Sequence, residues 1–199
     1  MEAVELEIAG AFLFTPVQHA DDRGVFLEFF KSDVFGQTLG HEFGLKQANI
    51  SQSGRGVIRG IHFADVPPSQ AKYVTCVAGA VMDVVVDIRL GSPTFGRWQS
   101  VDLNDQNRAA LYLSEGLGHG FVALSESATV MYLCSEGYNP ERERAINPLD
   151  PDLAIAWPTD LAHRLSPKDE RAMSFATAQE TGQLPTLDDC LAYRHSLGS

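Results

Sequence analysis

Most of the chain alternates hydrophobic and polar residues with a period of two, the pattern of strands with one buried face. Val4, Leu6 and Ile8 alternate with Glu5 and Glu7. Short runs rich in Val, Ile, Phe and Tyr follow at 25–30, 56–63, 73–77, 81–88, 109–113, 121–124 and 129–133. Turn-forming clusters separate them: Asp21-Asp22-Arg23-Gly24, Pro67-Pro68, Gly91-Ser92-Pro93 and Glu115-Gly116-Leu117-Gly118. Many short strands at this spacing predict an all-β sandwich or barrel. Helical signals are few. Ser32-Asp33 is a candidate cap for a short helix over 34–39 that Gly40 ends. A second helix is predicted over 167–182, with Ser166 as N-cap and Asp169 and Glu170 in its first turn. From Leu187 the tail is weakly amphipathic. With no repeat, linker or low-complexity segment, the economical organisation is one β domain over 1–199 with a helical C-terminal tail.

Composition narrows the class of partner. The 199 residues carry 15 Lys+Arg against 26 Asp+Glu, a formal charge of −11. That excess argues against a nucleic-acid polymer, because phosphate binding needs a surplus of cations. It leaves room for one phosphorylated small molecule in a local basic pocket. Cys76, Cys134 and Cys190 show no CxxC spacing, and the first two sit in apolar strand-like runs as small buried hydrophobes. The acidic N-terminus lacks a signal-peptide pattern, and no apolar run approaches the ~20 residues of a membrane span. A soluble, cytoplasmic protein is expected, without a membrane partner.

Common catalytic motifs are missing. There is no GxxxxGK[ST] loop and no GxSxG elbow, and Gly54-Arg55-Gly56-Val57-Ile58-Arg59-Gly60 has the wrong spacing for a dinucleotide fingerprint. His62 has no second His or carboxylate close by, and His119 is likewise alone, so no metal site is expected.

The informative feature is a set of polar residues at strand positions. Arg59 and His62 are three apart and would face opposite ways on a regular strand. Gly60 is the place for a bulge that would turn both toward one cavity. Asp83 and Asp87 interrupt an apolar run and must find partners if buried. Asp87 reads as a structural pair with Arg89, and Asp83 as a group that could orient a histidine. Lys72, His119 and Tyr132 complete a base, an acid, a cation and carboxylates inside one small barrel. Such a set suits proton transfer beside an electron sink.

The sequence resembles the dTDP-4-dehydrorhamnose 3,5-epimerases, cupin-type enzymes acting on dTDP-4-keto-6-deoxyglucose. The resemblance rests on DDRGVFLEFF at 21–30, GVIRGIHF at 56–63, QAKYVTCVAGAVMDVVVDIRLGSPTFGRW at 70–98 and SEGLGHGF at 114–121. VMYLCSEGYNPERE at 130–143, NPLDPDLAIAWP at 147–158 and LSPKD at 165–169 continue in order. It implies a cupin-type jelly-roll barrel with a short N-terminal helix, and a cofactor-independent epimerase inverting C3 and C5. His62 matches the proton acceptor, Asp169 its carboxylate partner, Tyr132 the proton donor and Lys72 the cation near the C4 oxygen. Arg23, Glu28, Gln47, Asn49, Arg59, His119, Glu143 and Lys168 match substrate-contacting positions, and Tyr138 the aromatic that stacks on thymine. Asp83 is in register with a family aspartate near the histidines. A homodimer sharing N-terminal strands is also implied. The chain departs from the family at Ser114, where Pro is usual, and over Glu170-Arg171-Ala172-Met173-Ser174. Inversion of C3 alone, a 3,4-ketoisomerase, a non-catalytic dTDP-sugar binding module and a metal-dependent cupin are the alternatives.

Overall fold

The structure, a computed structural model, describes residues 1–198. In chain order its elements are β1 (Glu2–Glu5), β2 (Ala11–Thr15), β3 (Gln18–Asp21), β4 (Gly24–Leu27), α1 (Ser32–Leu39), β5 (Gln47–Gly54) and β6 (Ile58–Ala64). Next come β7 (Lys72–Ala78), β8 (Ala80–Val86), β9 (Trp98–Asn104), β10 (Ala110–Leu113), β11 (Gly118–Ala123), β12 (Ser127–Cys134) and β13 (Glu143–Ala145). The helices α2 (Pro167–Glu170), α3 (Phe175–Glu180) and α4 (Leu187–Leu197) close the chain. One sheet has the order β1-β2-β10-β7-β12-β5, and a second has β13-β6-β11-β8-β9. The pairings are antiparallel, and the two sheets face each other as the all-β, cupin-type barrel. The β3–β4 hairpin forms a two-stranded sheet of its own.

Three apolar layers follow from strand alternation. Val74, Cys76, Val81, Val85, Leu111, Phe121 and Val130 fill the interior between the sheets. The next residues along the same strands, such as Val84, Val86 and Val122, point outward under a cover of Leu153, Ile155, Trp157 and Phe175 from the C-terminal segment. Across the molecule, α1 lays Phe35, fully buried, against Phe14, Tyr73 and Tyr112. Burying one such ring contributes about 1.5–3 kcal/mol.

Several expectations are corrected. The alternation at residues 4–8 does not make one strand: β1 ends at Glu5, and a turn buries Ile8 and leads through Gly10 (φ +87°) into β2. The helix expected over 167–182 is two helices. Met173 breaks it because its backbone pairs with Ile146 and accepts the Asn147 N–H at 2.9 Å. Ser174 then recaps the chain by accepting the Thr177 N–H. At α1 the helix starts at Ser32 itself, after Lys31, with no side-chain cap. Gly40 ends it at φ 77°, where a left-handed conformation favours glycine. The tail forms a true helix capped by Thr186 and docked through Cys190, which is 1% exposed. Among the described residues no helix is long and apolar enough to cross a membrane.

Candidate active site

Parity along the strands decides which polar side chains enter the barrel. On β6, Ile58, Ile61 and Phe63 all pack in the outer layer. The spacing from 58 to 61 is odd, so the alternation slips once. The slip is a bulge: His119 pairs with His62, yet Phe121 pairs with Arg59, three residues against two. Gly60 and Gly120 make it possible, since a Cβ on Gly60 would lie 2.5 Å from the Gly120 Cα. Arg59 and His62 consequently share the inner face, as the glycine spacing suggested.

His62 is a third exposed, and its Nε2 stands 2.7 Å from Oδ1 of Asp169, 107 residues away. The cap of α2 holds that carboxylate in place. Ser166 Oγ accepts the Asp169 N–H at 3.1 Å and donates to Asp169 Oδ2 at 2.9 Å. Burial alone would raise the Asp169 pKa. The hydrogen bond and charge of His62, with Ser166 and Lys168, outweigh it and leave the carboxyl below its ordinary range. Such a carboxylate fixes the imidazole's orientation and tautomer.

Beside His62, the directly opposed His119 binds a second carboxylate, Nε2 to Asp83 Oδ1 at 2.8 Å. Asp83 is fully buried, shares the inner parity of Val81 and Val85, and among the described residues has no partner for Oδ2. The expectation that Asp83 orients a histidine is met by His119.

The facing sheet supplies the other half. Lys72, 9% exposed, pairs in register with Cys134, and Val74 with Tyr132. Tyr132 packs on the inner core, where burial, with smaller effects from Cys134 and Glu143 against Arg59, holds its hydroxyl above the ordinary phenol value. Burial likewise pushes the Cys134 thiol up to about 11, so it stays neutral near Lys72. On β5, Gln47 and Asn49 lie opposite Cys134 and Tyr132. Gln47 donates to Asn49 Oδ1 at 2.8 Å and accepts the Tyr138 N–H at 2.7 Å. Asn49 reaches Cys134 Sγ at 3.7 Å. Tyr138 itself is 58% exposed, a ring free to stack. Glu143 opens β13 opposite Ala64 and borders a cavity of about 260 Å³ with Gln70 and Asn139.

A cavity of about 500 Å³ beside the dyad is lined by Arg59, His62, Arg164, Ser166, Lys168 and Asp169 among others. Arg59 donates from Nε to Ser53 Oγ at 2.9 Å and from a terminal nitrogen to the Gln52 carbonyl at 3.3 Å. Arg23 and Glu28 are not brought here. Arg23 is tied to Asp21 on the β3–β4 hairpin and borders another cavity, and Glu28 is held by Lys31. Sequence reading missed Ser53, Arg164 and the Ser166–Asp169 bond. The Ser-x-x-Asp spacing at 166–169, a capping-box variant, was the available signal for the last. Among the described residues no group of three or more His, Cys, Asp or Glu is placed to hold a metal ion.

Comparison with known proteins places the chain in a family. The model of the family described as dTDP-4-dehydrorhamnose 3,5-epimerase matches residues 5–177. The chain is 55% identical over 197 residues to the dTDP-4-dehydrorhamnose 3,5-epimerase of Mycolicibacterium smegmatis, covering 99% of this chain and 97% of that one. The solved rmlC epimerase of Mycobacterium tuberculosis superposes with a TM-score of 0.97 at 51% identity, over 99% of this chain and 100% of the other. ChmJ, a 3′-monoepimerase from Streptomyces bikiniensis solved with dTDP-quinovose, gives 0.95 at 49% identity, over 97% and 98%.

Proposed function

The chain belongs to the dTDP-4-dehydrorhamnose 3,5-epimerase family and is an epimerase, and we propose that it inverts both C3 and C5 of dTDP-4-keto-6-deoxyglucose to give dTDP-4-keto-rhamnose. The observation that carries this reading is the His62–Asp169 pair at 2.7 Å, opening on a cation-lined cavity. The C3 and C5 protons flank the C4 ketone, so removing either gives an enolate delocalised onto that oxygen. A carbon acid of this kind is weaker than an imidazolium by on the order of ten pKa units, at about 1.4 kcal/mol each. His62 takes the proton, and Asp169 stabilises the imidazolium that results. Lys72 stabilises the developing oxyanion and closes part of that gap. Tyr132, on the facing sheet, returns a proton to the opposite face of the ring. Its raised pKa keeps the hydroxyl protonated at neutral pH. The substrate's own ketone serves as electron sink.

Arg59 and Lys168 hold the diphosphate, with His119, Gln47, Asn49 and Glu143 on the sugar and base and Tyr138 stacked on thymine. Arg23 and Glu28 enter through a homodimer in which the β3–β4 hairpin reaches a second copy. Supporting this, among the described residues the hairpin forms a sheet only with itself and exposes Val25 (43%) and Phe26 (68%). Light scattering at the mass of a dimer is expected; a monomer mass overturns this part.

Incubation with dTDP-4-keto-6-deoxyglucose in D2O is expected to place deuterium at C3 and C5, and Tyr132→Phe to impair inversion more than exchange. Exchange at C3 alone selects the second reading, inversion of C3 only, the activity printed for the similar ChmJ. Tight dTDP binding with no exchange at either carbon would leave a binding module and overturn the enzymatic mechanism.

A further inference from the structure

We propose that Arg164 is a third cation for the substrate's diphosphate and sets how tightly this chain holds it. The inference rests on the reading of the site as one for a dTDP-sugar. Arg164 is not among the residues that the sequence pattern pointed to. Its backbone is built into the barrel edge: Arg164 N–H donates to the Gly56 carbonyl and its carbonyl accepts the Ile58 N–H, both at 2.9 Å. Val57 and Arg164 form a parallel bridge there. The side chain therefore springs from a point as fixed as a strand position, one residue from Arg59's own strand, and borders the same 500 Å³ cavity as Arg59, Lys168 and the dyad.

Charge supports the assignment. Among the described residues no carboxylate lies within ion-pair distance of Arg59, Arg164 or Lys168, although the chain has 26 acidic residues. The nearby Asp160 and Glu126 face Arg55 instead, at 3.9 and 3.8 Å. Among the described residues Asp169 is the only acid on the cavity wall, and His62 and Ser166 hold its oxygens. Arg164 spends one donor, on the Arg55 carbonyl at 3.2 Å, and keeps the rest of its five N–H groups. Arg59 already gives donors to Ser53 and Gln52, so a diphosphate bound there gains a second planar fork from Arg164.

Calorimetry with thymidine and dTDP, on wild type and Arg164→Ala, tests this, together with steady-state rates on the sugar nucleotide. Arg164→Ala is expected to weaken dTDP about tenfold, leave thymidine affinity unchanged and raise KM much more than it lowers kcat. The dependence of dTDP affinity on salt should become shallower. Arg164→Lys should recover part of the affinity, which a merely structural role would not produce. Unchanged dTDP affinity in Arg164→Ala overturns the proposal while leaving the epimerase reading intact. Equal losses for thymidine and dTDP also overturn it, because they report a general disturbance. A wild-type protein that does not bind dTDP defeats both.

Discussion

Asp87 and Asp169 are both buried carboxylates held below the ordinary range against the effect of burial, yet their surroundings differ in kind. Asp87 is saturated. Arg89 gives it Nε and a terminal nitrogen at 2.8 Å each and its own N–H at 3.1 Å, and the hydroxyls of Ser92 and Thr94 add bonds at 2.5 and 2.6 Å. Carboxylate and guanidinium are 0% and 1% exposed, so nothing can enter or leave. Asp169 gives its charge to an imidazole that remains a third exposed at a cavity wall. Asp83 stands between them, fully buried, with one oxygen on His119 and the other without a partner. A saturated charge cluster locks a loop. A histidine–carboxylate pair left open on one side can exchange a proton with something bound there.

The largest effect should come from the open side. His62→Ala is expected to lower deuterium exchange at C3 and C5 about 10⁴-fold, about 5.5 kcal/mol, as read by NMR, together with the smaller loss of stability that follows from unpairing Asp169. Asp87→Asn strikes the saturated cluster and leaves Arg89 buried without its counter-charge. A loss of about 4 kcal/mol in denaturant unfolding is expected, with turnover per folded molecule near that of wild type. The contrast breaks if that variant loses turnover but not stability.

Asp169→Asn keeps the shape and removes the charge, and turnover should fall about 10²-fold, about 2.7 kcal/mol. Its pH dependence sharpens the comparison. A folded pKa below the unfolded one gives stability that is present above the unfolded value of about 4 and lost as the pH falls through the folded value. The Tm difference between wild type and Asp169→Asn should shrink as the pH falls below about 4. Smallest of all, Ser166→Ala removes the α2 cap and the hydroxyl on Asp169 and should cost about 1 kcal/mol of stability. Its effect on turnover should be below that of Asp169→Asn; an equal effect would mean the cap, and not the charge, governs the dyad.

Legibility differed from strand to strand. β7, β8, β11 and β12 are visible because their apolar residues recur in pairs or alternate. β5 went unseen although it carries Gln47 and Asn49, since it reads Gln-Ala-Asn-Ile-Ser-Gln-Ser-Gly, polar on the face that lines the site. A strand whose buried face serves a ligand loses the hydrophobic signal by which strands are found. β2, five residues with two Phe and a Leu, was also missed, as was β9, whose apolar Trp98, Val101 and Leu103 break strict alternation. Asp169 was legible as part of a motif. The Ser166 cap was legible too, but not that its hydroxyl would reach the carboxylate.

By itself the sequence determined the class of fold, because period-two alternation broken by glycine and proline admits few other solutions. It also determined the residue types available for proton transfer, and its motifs named their family. Which of them meet was decided only by the tertiary structure. A bulge at Gly60 turns Arg59 and His62 to one side, and a capped four-residue helix carries Asp169 to His62 across 107 residues. The same closure brought Arg164 to the cavity and left Arg23 on a separate hairpin. Contacts between residues so distant in the chain depend on register and on the path of intervening loops, and no local pattern records either.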